Sequence, residues 1–182
     1  MPPLVGGALP RRGGALSTGL EKVCQQMADY LNSRGVPAVT AWPMTPRREQ
    51  EAVVAAVSLR GCKVEPAGLQ NYLGERFDGE TGRWEERYGR RARIALGLDL
   101  YAPEKGDGAA LQAAFDALAQ ALLLGEPEGL AVEEFSCGQT ARDGESRRLK
   151  RPVEAVCTAW LSAANDAGGG FTDFELRGVA KV

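Results

Sequence analysis

The sequence predicts an α+β fold, a mostly antiparallel sheet with two helices packed on one face, long hairpins and flexible terminal arms. Three observations carry this. Two segments, 17–34 and 108–124, each show one apolar stripe at helical spacing, the mark of a helix lying on a sheet. At least three segments alternate apolar and polar residues with a period of two. The strands follow one another as a meander, the order that builds a two-layer antiparallel sandwich. The chain reads as an arm over 1–15, one domain over 16–165 with an insertion at about 68–91, and an extended tail over 166–182.

Residues 1–15 hold four glycines, three prolines, Arg11 and Arg12 with no periodicity, so this arm is expected to be disordered in isolation. Thr18 with Glu21 makes a capping-box pattern. Leu20, Val23, Cys24, Met27 and Leu31 then share one helical face, and Gly35 and Pro37 end the helix. A linker with Trp42, Pro43 and Pro46 leads to a strand within 50–64. Val53, Ala55, Val57 and Leu59 are predicted on one face and Val54, Ala56, Ser58 and Arg60 on the other; β-branched density and Gly61 favour strand over helix. From Ala92 to Tyr101 the alternation is cleaner, with Ile94, Leu96, Leu98 and Leu100 inward.

Between these strands, Gly68 to Arg91 reads as an excursion around the turn Phe77-Asp78-Gly79-Glu80-Thr81-Gly82. Tyr72, Phe77, Trp84 and Tyr88 flank it among six arginines (Arg76, Arg83, Arg87, Arg90, Arg91 and Arg93) and five acids, a mixture that suits either a protein-pairing surface or a solvated hairpin. Asp107 caps the second helix, whose apolar face is Leu111, Phe115, Leu118 and Leu122, and Gly125 stops it. A long hairpin follows. Leu130 to Cys137 pairs with Pro152 to Leu161, where Val153, Ala155, Cys157, Ala159 and Leu161 alternate with polar neighbours, and Asp143-Gly144 turns midway. Its tip carries Arg142, Arg147, Arg148, Lys150 and Arg151. After Gly168-Gly169-Gly170, the extended piece from Phe171 to Val179 is read as a tail over a neighbour or as an edge strand. The sheet face away from the helices is left with Arg60, Arg93, Asp99, Glu154 and Thr158.

The composition narrows the chemistry. The 182 residues contain no histidine, which removes Ser-His-Asp and Cys-His catalysis, HExxH metal sites and Cys2His2 fingers. A net charge of −2 predicts neither nucleic-acid nor membrane affinity. Cys24, Cys62, Cys137 and Cys157 have no CxxC spacing and read as free buried thiols of a reducing compartment. Met1 to Gly7 has no apolar run of a signal peptide, and no stretch approaches a membrane span. Gly106-Asp107-Gly108 is a helix cap rather than a phosphate loop, because the motif is incomplete and Asp107 opposes phosphate. Glu85-Glu86 and Glu133-Glu134 are adjacent on strands, so neither pair converges on one metal or one proton. Cys137, at a strand end before the basic loop, lacks a base. No catalytic, cofactor or metal-ligating residue is assigned. The charge is uneven. Segment 136–151 is basic and 99–135 strongly acidic, a dipole able to set subunit orientation. A basic loop without interleaved aromatics is a weak nucleic-acid site.

The stretch Ile94-Ala-Leu-Gly-Leu-Asp-Leu-Tyr-Ala-Pro-Glu-Lys-Gly-Asp-Gly-Ala109, running into an amphipathic helix, resembles small neck and tail proteins of tailed phages and prophages of Gram-positive bacteria. There a strand ending in a Tyr-Ala-Pro-like turn leads into a helix and then a long hairpin. Over about residues 17–162 the order of elements is similar to tail terminator proteins. The resemblance implies a structural, non-enzymatic subunit of a homohexameric ring that caps the tail tube and joins it to the head connector. Its partners would be further copies of itself, the tail tube protein and head–tail connector proteins. DNA would pass through the lumen without sequence-specific binding, no membrane would be involved, and the site would be a virion assembled in the bacterial host cytoplasm. Another neck or tail-completion protein, a connector or stopper, is the alternative; a soluble ligand-binding domain or enzyme is the remote one. The arm, the Arg-rich insertion and the tail go beyond a minimal terminator. Arg83, Trp84, Arg87, Tyr88, Arg147 and Arg148 are the interface candidates, since aromatics and arginines are enriched at interface cores.

Overall fold

A computed structural model describes residues 19–40, 52–66, 71–103, 105–165 and 171–177. The arm at 1–15, the cap residue Thr18, the Trp42 linker, the glycine run and the end of the tail lie outside the described residues. The fold is α+β, with two helices and a nine-stranded, mostly antiparallel sheet among the described residues.

Helix α1 spans Gly19–Ser33. Val23, Met27 and Leu31 are fully buried on its inner face. It ends in a Schellman turn: the Val36 amide donates to the Leu31 carbonyl at 2.9 Å and the Gly35 amide to the Asn32 carbonyl at 3.0 Å. Gly35 sits at φ 79, where a side chain would be strained. Asn32 then clamps Ala38, donating to its carbonyl at 2.9 Å and accepting from its amide at 3.0 Å. This seats β1 (Ala38–Val39) parallel to the start of β2 (Val54–Pro66).

The sheet is built on β4 (Arg83–Tyr101), a continuous strand of 19 residues. On one side it pairs with β2 over Arg90–Tyr101 and then with β3 (Tyr72–Asp78) over Arg83–Tyr88. On the other it pairs with β8 (Val153–Asn165) over Glu86–Gly97. The excursion at 68–91 is therefore the outward continuation of the core strand, not a separate hairpin. β8 also carries β5 (Ala131–Cys137) and β9 (Phe171–Arg177), so of the two readings of the tail the edge strand describes its paired part. Within the long hairpin, β6 (Ala141–Arg142) and β7 (Leu149–Arg151) form a small ribbon, and β7 pairs with the end of β4.

Ile94, Leu96, Leu98 and Leu100 of β4 are fully buried, as are Ala55 of β2 and Ala155, Cys157 and Ala159 of β8. α1 and α2 (Gly108–Leu124) cover this face together. The Tyr30 hydroxyl of α1 donates to the Ala121 carbonyl of α2 at 2.7 Å, fixing the helices against each other. Asp107 caps α2 by accepting from the Ala110 amide at 3.0 Å. Leu111, Leu118 and Leu122 are buried and Phe115 partly so, while Gly125 follows the helix in extended backbone rather than a left-handed cap.

Leu59 lies opposite Leu96, on the face it shares with Ala55 and Val57 as expected, but it is exposed there, just before β2 bulges between Leu59 and Gly61, and Val54 is buried beside Ala55. One expectation is corrected. The four cysteines are free, but only Cys157 is buried; Cys24 is half-buried, and Cys62 and Cys137 are exposed because they lie on the outward part of β2 and at the end of β5.

Candidate interaction surfaces

Beyond Ala92 the sheet continues as a ribbon of β2, β3, β4, β8 and β9, of which β9 still touches α1. Alternation along β4 puts Trp84, Glu86, Tyr88 and Arg90 on the same side as Ala92 and Ile94, the helix-covered side. Cross-strand register makes three rungs there: Phe77 with Trp84, Glu75 with Glu86, and Tyr72 with Tyr88. The aromatic rungs pack edge-on, with centroids 5.5 Å apart for Phe77–Trp84 and 5.7 Å for Tyr72–Tyr88. The Tyr88 hydroxyl donates to Glu86 at 2.6 Å. That hydrogen bond, followed by partial desolvation, holds the Tyr88 phenol above its ordinary pKa. Trp84 remains 67% exposed and Phe77 52% exposed. The turn beyond is set by Asp78, which accepts from the Glu80 amide at 3.0 Å and the Thr81 hydroxyl at 2.6 Å, and by Gly82 at φ 67.

The opposite face is ionic. Asp99 is 8% exposed and accepts from Arg60 at 2.6 Å, Lys150 at 2.9 Å and the Val153 amide at 3.2 Å. Arg60 also reaches Glu154 at 3.3 Å. The Asp99 hydrogen bond raises the Lys150 pKa against a smaller desolvation penalty. Further along, Glu133 takes Arg93 at 3.7 Å and a short hydrogen bond from Thr158. Of the residues left for this face by alternation, Arg60, Asp99 and Glu154 therefore pair with one another, while Arg93 and Thr158 meet Glu133 of β5. Lys150 was not anticipated there: it comes from the basic tip, brought across by the β7–β4 pairing, and nothing in the local sequence signals that closure.

The six interface candidates fall in three places. Trp84 and Tyr88 share the aromatic ladder. Arg83 and Arg87 hold odd positions of β4, alternate to those of Trp84 and Tyr88; Arg83 is exposed, and the side chain of Arg87 lies outside the described residues. Arg147 and Arg148 are in the β6–β7 turn at the other end of β4. There Arg147 adopts φ 57 and its carbonyl accepts from Arg142 at 3.1 Å, while the Arg148 carbonyl accepts from the Asp143 amide at 2.8 Å. Missed by sequence reasoning were Leu123 and Leu124, exposed at the end of α2, and the Glu75–Glu86 rung, which requires the register of the hairpin. Among the described residues no group of three His, Cys, Asp or Glu side chains is arranged to hold a metal.

No family model matches the chain, and no curated protein matches it. Among solved structures the chain is similar to the sheath/tube terminator of an extracellular contractile injection system, PVC, seen by cryo-electron microscopy in the extended state. The TM-score is 0.41 at 14% identity, over 91% of this chain and 64% of that one.

Proposed function

We propose that this chain is a structural subunit of a phage or phage-like tail, a terminator that closes into a ring at the end of the tail tube and meets the head-side connector. The sequence resemblance at 94–109 supports the reading, and those residues form the end of β4, the turn through Tyr101, Ala102 and Pro103, and the capped start of α2. The observation that carries it is the ribbon. A subunit spends seven residues of β3 and the outer part of β4 on a structure that lies beyond the helix-covered core and presents Trp84 and Phe77 to the outside. Large aromatics held outside the core are the residue types that anchor protein contacts. A ring subunit needs two different surfaces, because heterologous contacts close by rotation. The aromatic ribbon and the β6–β7 turn stand at opposite ends of β4 and provide two. In this role the protein is not an enzyme, and its partners are its own copies, tube protein and connector.

Sedimentation velocity on the full chain over a wide concentration range tests the reading. The expected result is a discrete closed oligomer whose formation Trp84→Ala weakens, with circular dichroism unchanged. A chain that remains strictly monomeric at the highest concentration, or an oligomer indifferent to Trp84→Ala, overturns it.

A further inference from the structure

The hairpin of β3 and β4 has three rungs that carry charge on both strands. In two of them the signs are opposed: Arg76 stands opposite Glu85, and Asp78 opposite Arg83. The third sets Glu75 against Glu86, and like charges in that relation are destabilising. Both carboxylates are exposed, and among the described residues no ion pair joins either to a cation; Glu86 accepts from the Tyr88 hydroxyl. Arg90, the next cation of β4 on the same alternation, is four positions inward of Glu86, about 13 Å along the strand. The Phe77–Trp84 and Tyr72–Tyr88 rings lie on either side of the acidic rung. Carboxylates beside exposed aromatic rings suit guanidinium groups, which take the first by hydrogen bonds and the second by cation–π contact.

The β6–β7 turn has the complementary imbalance. Arg142 and Arg147 are exposed, and among the described residues no carboxylate pairs with either. Arg142 donates to the Arg147 carbonyl at 3.1 Å, which keeps the two residues together. Asp143 is engaged inside the turn: it accepts from the Ser146 hydroxyl at 2.6 Å and the Ser146 amide at 2.9 Å, and these bonds hold its carboxyl below the usual carboxylate range. Glu145, also exposed, leaves the turn with an excess of positive charge. Arg147 sits at φ 57, a region glycine occupies without strain, so the turn keeps an arginine against its backbone preference.

The two surfaces do not meet within one copy. β7 pairs with β4 at Leu100 and Tyr101, and Tyr101 is fifteen positions from Glu86, about 50 Å of strand. Resting on the reading of the chain as a ring subunit, we propose that the ladder face of one copy receives the β6–β7 turn of the next, with Arg142 and Arg147 on the Glu75–Glu86 rung and their stems against the flanking rings. Each like-charge pair is relieved by the other, and the head-to-tail contact is of the heterologous kind that closes a ring.

The test uses the full chain in two charge-reversed forms, Glu75→Arg/Glu86→Arg and Arg142→Glu/Arg147→Glu, read by sedimentation velocity and native mass spectrometry. Each form alone sets like charges against like at the contact, and its assembly is expected to weaken on the order of a hundredfold. Mixed in equal amounts, the two should assemble again with both forms in equal number, because every ladder then meets a turn of opposite charge. Circular dichroism of each should match the unaltered chain, since all four residues are exposed. Where a reversal perturbs the fold, Glu75→Gln/Glu86→Gln and Arg142→Gln/Arg147→Gln replace it: each should weaken assembly, and both in one chain should weaken it no further. Assembly unaffected by either reversal, a mixture that stays unassembled, or additive losses in the neutral set overturns the proposal. If Trp84→Ala still weakens the oligomer in that case, the ring reading stands without it; a chain that never assembles overturns both.

Discussion

Asp99 lies on the polar side of the strand that carries the core, and its carboxylate gathers Arg60, Lys150 and the Val153 amide. Removing it leaves two cations side by side and an amide unmet. Because Arg60 and Lys150 retain about a third of their exposure, Asp99→Ala is expected to cost about 2 kcal/mol rather than the larger figure for a fully buried pair. A urea titration checks this. The pH dependence has a defined sign. Lys150 has a raised folded pKa, so its contribution is complete below the ordinary lysine value and fades as the pH climbs through the raised one, above about pH 10. Asp99→Ala should flatten that alkaline limb. Gly97 belongs to the same arrangement: a Cβ there would stand 2.6 Å from Arg60 Nε and 2.8 Å from Ser58 Oγ. Gly97→Ala should therefore displace Arg60, and its cost should shrink in an Arg60→Ala/Ser58→Ala background, a coupling that a double-mutant cycle measures. On the apolar side, burial pushes the Cys157 thiol up to about 12, with Glu126 and Glu133 adding to it. Maleimide applied to the native protein should modify Cys62 and Cys137 and spare Cys157, which mass spectrometry of the digest would show; labelling of Cys157 at the same rate would contradict its burial.

The two halves of β4 differ in energetics and in how readily they are read. Leu98 is fully buried between sheet and helices, so Leu98→Ala should cost about 2–5 kcal/mol, whereas Trp84→Ala, on the same strand, should stay within about 0.5 kcal/mol in the monomer. Thermal denaturation of the two variants makes the comparison. The inner half was legible because Ile94, Leu96, Leu98 and Leu100 alternate without exception, as a face pressed on helices must. The outer half was not joined to it, because on the inward parity Arg90 and Glu86 interrupt Tyr88 and Trp84, and the period-two signal disappears where no core enforces it. The helices were readable to within two residues: apolar spacing, Asp107 and Gly35 are all local signals. The face of Leu59 was legible as well, but its exposure was not, since alternation does not announce where the cover over a strand ends. β6 and β7 are too short to alternate, so their place against β4, and with it the position of Lys150, had to come from the fold.

At the scale of the whole molecule, the candidate contact surfaces were half legible. Aromatics among arginines marked the ribbon, but only the hairpin register separates Trp84 and Tyr88 from Arg83, and only the β7–β4 pairing sends Arg147 and Arg148 to the opposite end. With those ends distinct, screening should act on them unequally. A contact made through the ladder's rings should survive added salt, and one made through the arginines of the turn should weaken. Sedimentation at low and high ionic strength separates the two contributions, and an assembly lost entirely at high salt would rule out the aromatic surface as its main support. The run of β4 from Tyr101 to Arg83 has a mechanical side as well. From Glu86 to Gly97 the strand is bonded to β8, and β2 holds it on the other side from Arg90 onward. A pull along the strand at the ribbon's tip therefore loads this doubly bonded stretch in shear, many hydrogen bonds sharing the force at once. Outward of Glu86 only β3 supports it, so bending is confined to the last few rungs. Along β4 the fold is therefore stiff where two neighbours hold the strand and compliant at the last rungs of the ribbon.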